Sequence, residues 1–114
     1  MRLRSLAVLC ALAALPALAH HGWSEYDATK PLKLTGQVLK SGYEHPHGHV
    51  QLETKEKKWM VILAPPSRME NRGLAAAEIA AGKTVTVEGY PNRAKAEEMR
   101  AERITAGGKT IELR

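Results

Sequence analysis

The 114-residue chain carries 17 Lys and Arg against 12 Asp and Glu, five histidines, one cysteine and no phenylalanine. That length suits one small domain and excludes a multi-part enzyme, and its core must be built from Val, Ile, Leu, Met and Ala. The formal net charge of +5 falls to +3 if the first 19 residues leave, since two basic and no acidic residues go with them; so mild a charge argues for solubility and against a polyanion-binding surface.

Residues 1–19 read as a signal peptide. Arg2 and Arg4 make a basic start, Leu6 to Leu15 is a short apolar run, Pro16 breaks it, and Ala17 and Ala19 supply the small residues a signal peptidase requires. The run is shorter than the roughly 20 residues a spanning helix needs, so no stable membrane anchor is expected. Bulky Leu9 ahead of Cys10 argues against lipidation. Cleavage after Ala19 predicts a periplasmic protein that meets no nucleic acid and keeps no cysteine, which excludes both a disulfide and thiolate metal chemistry.

Residues 20–31 form a polar N-terminal arm, and 32–114 the domain. Leu32, Leu34, Gly36 and Val38 alternate with Lys33, Thr35 and Gln37, the period of a half-buried strand. A second strand is predicted from about His47 to Thr54, with Val50 and Leu52 on one face and His47, His49, Gln51 and Glu53 on the other. Lys55 to Lys58 is a solvated hairpin turn, and Trp59 to Ala64 a third strand that Pro65-Pro66 stops. Ser67 and Glu70 have capping-box spacing for one helical turn. The helix itself is expected over Leu74 to Ala81, with Gly82 as its left-handed stop. Thr84 to Gly89 alternates as a fourth strand. Arg100 to Thr105 and Thr110 to Leu113 form a hairpin across Gly107-Gly108. Three strands, a helix and further strands give a mainly β fold: a small five-stranded Greek-key barrel of oligonucleotide/oligosaccharide-binding (OB) type, with one short helix between strands 3 and 4.

All five histidines lie between His20 and His49. On a regular strand His47 and His49 have side-chain roots about 6.6 Å apart and can share an ion, whereas His45 and His49, about 13 Å apart, cannot. Pro46 keeps the chain at His45 extended, and Gly48 would let another segment approach closely. Cleavage after Ala19 makes His20 the new N-terminus, whose amine and imidazole can chelate one metal. His20 with His47, completed by His21 or His49 and with His45 as a further candidate, forms a nitrogen-rich set suited to copper(II), or to zinc if three imidazoles bind tetrahedrally. Trp23, Tyr26 and Tyr43 read as packing or rim residues, and Arg68 and Arg72 as loop anchors.

The start His20-His21-Gly22-Trp23-Ser24-Glu25-Tyr26-Asp27, the strand Leu34-Thr35-Gly36-Gln37-Val38, the pair Pro46-His47 and the strand Trp59-Met60-Val61-Ile62-Leu63 resemble a family of small exported bacterial proteins classed as a domain of unknown function. Arg72-Gly73-Leu74, Ala81-Gly82-Lys83-Thr84-Val85 and Val87-Glu88-Gly89-Tyr90 extend the likeness over nearly the whole mature chain. Such proteins usually carry Asn before Pro-His, where this chain has His45. The resemblance implies a periplasmic barrel and no particular activity.

The function expected is that of a periplasmic metal-binding protein handling copper as a carrier or buffer. Its partners would be the metal ion and a periplasmic partner protein. The alternatives are an OB-type binding module with no metal, and a copper redox enzyme using a histidine brace. The enzyme ranks last, because 95 residues leave little room for a substrate pocket and no carboxylate pair or nucleophile-base motif is visible.

Overall fold

In the computed structural model, which describes residues 22–114, the organising element is the long strand β1 (Leu32–Gly42). Its first half, Leu32 to Gln37, pairs antiparallel with β4 (Thr84–Pro91). Its second half, Gln37 to Gly42, pairs antiparallel with β2 (His49–Glu53). β1 lies between β4 and β2 in the sheet, and a bulge between Val38 and Lys40, close to Gly36, locally kinks the strand and increases its twist. A Cβ on Gly36 would collide with the Glu53 carbonyl oxygen. Residues 1–19, expected to be a signal peptide, and His20 and His21 lie outside the described residues.

β2 turns through Thr54 to Lys57, where Thr54 N–H donates to the Lys57 carbonyl at 3.0 Å, into β3 (Lys58–Ile62). β3 runs parallel to β5 (Glu98–Ala106) over Met60 to Ile62, and β5 is antiparallel to β4 with a bulge between Glu88 and Gly89. The circuit β1-β2-β3-β5-β4-β1 is therefore a closed five-stranded barrel of OB type. β6 (Lys109–Glu112) extends β5 as a hairpin across Gly107 and Gly108, both at positive φ. Closure leaves β6, which pairs with β5 alone, as the edge strand of the sheet among the described residues.

The interior follows the alternation of the strands. Val50, Leu52, Val61, Leu63, Val87, Met99 and Ile104 are all fully buried, giving an aliphatic core without phenylalanine. Trp59 lies at its edge beneath Lys57 Nζ, 4.1 Å from the ring centroid.

The helix between β3 and β4 is not where the alanine run pointed. It is α1 (Pro66–Asn71), which buries Met69, while Leu74 to Ala81 holds only a 3-10 turn over Ala76–Ile79. Pro66 suits the first helical position because its missing N–H would have no partner there. Ser67 lies inside the first turn and makes no capping bond, so the expected capping box does not form. Gly73, at φ 93°, ends the helix. Beyond it, Tyr43 OH donates to the Leu74 carbonyl at 2.5 Å, Glu78 Oε1 accepts from Ala75 N–H at 2.9 Å, and Gly82 N–H donates to Val38 O at 2.8 Å. These bonds, with the burial of Leu74 and Ile79, outweigh the helix propensity of alanine.

The arm packs on the outside of the barrel. A 3-10 turn, Trp23–Glu25, leads to a bridge between Tyr26 and Asn92, supported by Asp27 N–H to Pro91 O and Arg93 N–H to Glu25 O, each 2.9 Å. Arg68 and Arg72 reach from the helical segment to the last strand, donating to the carbonyls of Leu113 at 3.0 Å and Glu112 at 2.8 Å. Among the described residues, no helix is long and apolar enough to cross a membrane.

Candidate functional site

Arg100 on β5 is flanked by the inward side chains of Met99 and Ala101, so its own side chain leaves the barrel on the outer face, yet it is only 6% exposed. What covers it is the arm and the β1–β2 loop. The Trp23 ring centroid lies 4.5 Å from its guanidinium carbon, and His47 Nε2 lies 3.5 Å from its Nη2. A second guanidinium, that of Arg114, lies 4.5 Å from the same indole. Burial pulls the Arg100 pKa below the usual guanidinium value, an effect that the nearby Arg68 and Arg114 reinforce. A guanidinium nonetheless keeps its proton, so this outer patch carries a permanent positive charge.

Beside Arg100, Tyr26 is 2% exposed and donates its hydroxyl to Glu98 Oε2 at 2.5 Å, while Asn92 Nδ2 donates to the same oxygen at 3.3 Å. Desolvation first, and the bond to Glu98 second, push the Tyr26 pKa well above that of a free phenol. The tyrosine is therefore a neutral donor that fixes the arm.

The histidines separate. β2 begins at His49, not His47, so the two do not share a regular strand face. His47, half-buried in the loop, approaches β5 through Arg100. His49 leans toward β1: a Cβ built on its ladder partner Gly42 would run into the His49 ring and meet Glu44 Oε1 at 2.8 Å. His45 is exposed. Among the described residues no three His, Cys, Asp or Glu side chains gather closely enough to hold a metal ion. His20 and His21, the other two candidates, lie outside the described residues. Gly48 does admit a close neighbour, but that neighbour is the fold itself. Its N–H and carbonyl bond to Ala64 O at 2.9 Å and Leu63 N–H at 2.8 Å, and a Cβ there would stand 2.6 Å from the Met69 methyl.

Residues 7–100 match a family described as of unknown function, DUF6152. The chain belongs to this family. No curated protein matches it. Among solved structures it is similar to a chain of the S. pombe Stn1-Ten1 complex, with 14% identity and a TM-score of 0.53, covering 67% of this chain and 57% of that one. It is also similar to a chain of a complex of TiaS with tRNA and ATP, with 21% identity and a TM-score of 0.49, covering 78% of this chain and 20% of that one. The protein thus spans little more than half of the first chain and a fifth of the second. The Stn1-Ten1 likeness carries the OB-type fold and, at such identity, the fold alone.

In this DUF6152 chain the patch is organised by a residue that sequence reading passes over. The pattern assigns Arg100 only to a strand, because nothing local distinguishes an outward arginine in solvent from one roofed by a distant tryptophan. Trp23 and Tyr26 do pack, as their residue types suggest, but on the outer wall of the barrel. Trp23 meets Tyr26 and Tyr90 edge-on, with ring centroids 6.4 and 6.2 Å away. The three rings, with Arg93 and Arg114, line a surface pocket of about 260 Å³.

Proposed function

We propose that this protein is exported to the periplasm, that cleavage after Ala19 makes His20 its N-terminus, and that it binds one copper ion there as a carrier or buffer. The His20 amine and imidazole would join His47, with His21 or His49 completing the set. One observation carries this reading: Trp23 and His47 touch the same guanidinium, at 4.5 and 3.5 Å respectively. Trp23 is three residues from His20, and three residues of chain reach roughly 10 Å. The new terminus thus has the span to meet His47 without moving the arm.

The chemistry of the donors supports copper(II), since nitrogen ligands in a near-planar set suit that ion. The lean of His49 toward Gly42 and Glu44 favours His21 as the fourth donor. Arg100 bears on affinity. A fixed positive charge beside His47 opposes a second cation, which fits a site that releases its ion and fits poorly with an enzyme that must keep it. Zinc remains the alternative ion, with three imidazoles.

Protein purified from the periplasm should have the intact mass of residues 20–114 and take up about one equivalent of copper(II). One extra residue ahead of His20, or His47→Ala, should weaken binding at least about tenfold, a difference of roughly 1.4 kcal/mol. Equal affinity with and without the extra residue removes the amine from the site. Equal affinity after His47→Ala removes the loop from the site, and if the mature protein takes up no copper at all, a periplasmic binding module without metal is the better reading.

A further inference from the structure

We propose that the pocket between the arm and β4 is a binding site for a small aromatic carboxylate. Its apolar walls are Trp23, Tyr26 and Tyr90, and its charged groups are Arg93 and Arg114. The rings meet at interplanar angles of 62° and 77°, and because the Arg100 and Arg114 guanidiniums already lie over the indole, an entering ring is offered the edge of Trp23, a geometry that aromatic pairs favour. The volume of about 260 Å³ exceeds the roughly 150 Å³ cavity that takes up benzene, which leaves room for one ring and its carboxylate.

The charges choose between ligand classes. Three aromatic walls alone would also suit an organic cation, but two guanidiniums at the same pocket repel one. An inorganic anion would satisfy the guanidiniums and leave the rings unused. No acidic side chain lines the pocket. Glu102 Oε1 lies 3.7 Å from Arg114 Nη1 and shares that charge. Arg93 Nε donates to Ser24 O at 3.0 Å and so fixes the guanidinium at the pocket wall, while its charge also acts on Asp27, which does not line the pocket. The terminal nitrogens of Arg93 make no hydrogen bond or ion pair among the described residues, and they form the fork that binds a carboxylate through two parallel bonds.

This site shares Trp23 with the copper reading but does not rest on it, so the test uses metal-free protein. Trp23 and Trp59 are the two tryptophans of the chain, and Trp59→Phe assigns their indole N–H resonances. Titrated with benzoate, the wild type should show a saturable shift of the Trp23 indole and none at Trp59. Benzamide, the same shape without the charge, should bind at least about tenfold more weakly. Arg93→Met should weaken benzoate by a similar factor. Equal affinity for benzoate and benzamide, no saturable shift at Trp23, or unchanged benzoate affinity in Arg93→Met each overturn the inference. Copper binding that fails with His47 intact, while benzoate still selects over benzamide, would sink the metal reading and leave this one standing.

Discussion

Tyr26 shows how one side chain can hold a segment that has no strand of its own. Its ring is buried against the barrel wall and its hydroxyl is spent on Glu98. Because the folded state raises its pKa, the tyrosine contributes stability that is complete below the unfolded value of about 10 and is lost as pH rises beyond it. Tyr43, raised mainly by burial, and Tyr90, raised mainly by its bond to Glu102, act in the same direction. Tyr26→Phe should therefore cost about 1–3 kcal/mol at neutral pH, the value of a hydrogen bond to a charged acceptor. It should also flatten the fall of stability above pH 10. Urea denaturation at pH 7 and pH 10.5 measures both, and an unchanged alkaline slope would mean that Tyr26 does not titrate with the fold.

At the scale of elements, the barrel depends on two places where backbones touch. A Cβ on Gly36 would collide with Glu53 O, and one on Gly89 would collide with Arg100 O. The second lies at the β4–β5 bulge, on the strand paired with the one that carries Arg100. Gly89→Ala must push β5 outward, a strain of about 1–3 kcal/mol by the measure of overpacked cores. It should also move Arg100 away from Trp23 and His47, so the indole resonance of Trp23 should shift while that of Trp59 holds. Loss of stability with both resonances unmoved would place the strain elsewhere. The strands are legible in the sequence because period-two alternation of Val, Leu and Ile survives translation into a barrel with one wet face. The helical turn expected at Ser67 to Glu70 does fall inside α1, but the longer helix expected over the alanine run does not form, because that run advertises propensity whereas Tyr43, Val38 and Glu78 claim its backbone, the first two through contacts from elsewhere in the chain. The same logic governs the site. His47 stands out by its neighbours in sequence, but its partner Arg100 lies 53 residues away and bears no local mark.

For the molecule as a whole, the outer wall of β5 is a second, smaller packing surface, built with cations and aromatic rings where the interior uses aliphatic side chains. The arm supplies Trp23 and Tyr26, the loop before β2 supplies His47, and Arg114 comes from the segment after β6. Such an assembly adds stability to the barrel without being needed to close it, since among the described residues the arm's one ladder contact is the Tyr26–Asn92 bridge. A chain begun at Ala28 should keep the far-ultraviolet signature of the barrel but lose about 3–5 kcal/mol, the cost usually seen when large buried aromatic side chains are removed. Arg100 is then solvated and no longer stacked, so Arg100→Ala should cost less in the shortened chain than in the full one. The difference between the two costs, read from a double-mutant cycle in urea, measures the coupling of arm and β5. A coupling energy of zero would show that the arm lies on the barrel without gripping Arg100. The adjacency of Trp23 and His47, on which the copper reading depends, would fall with it.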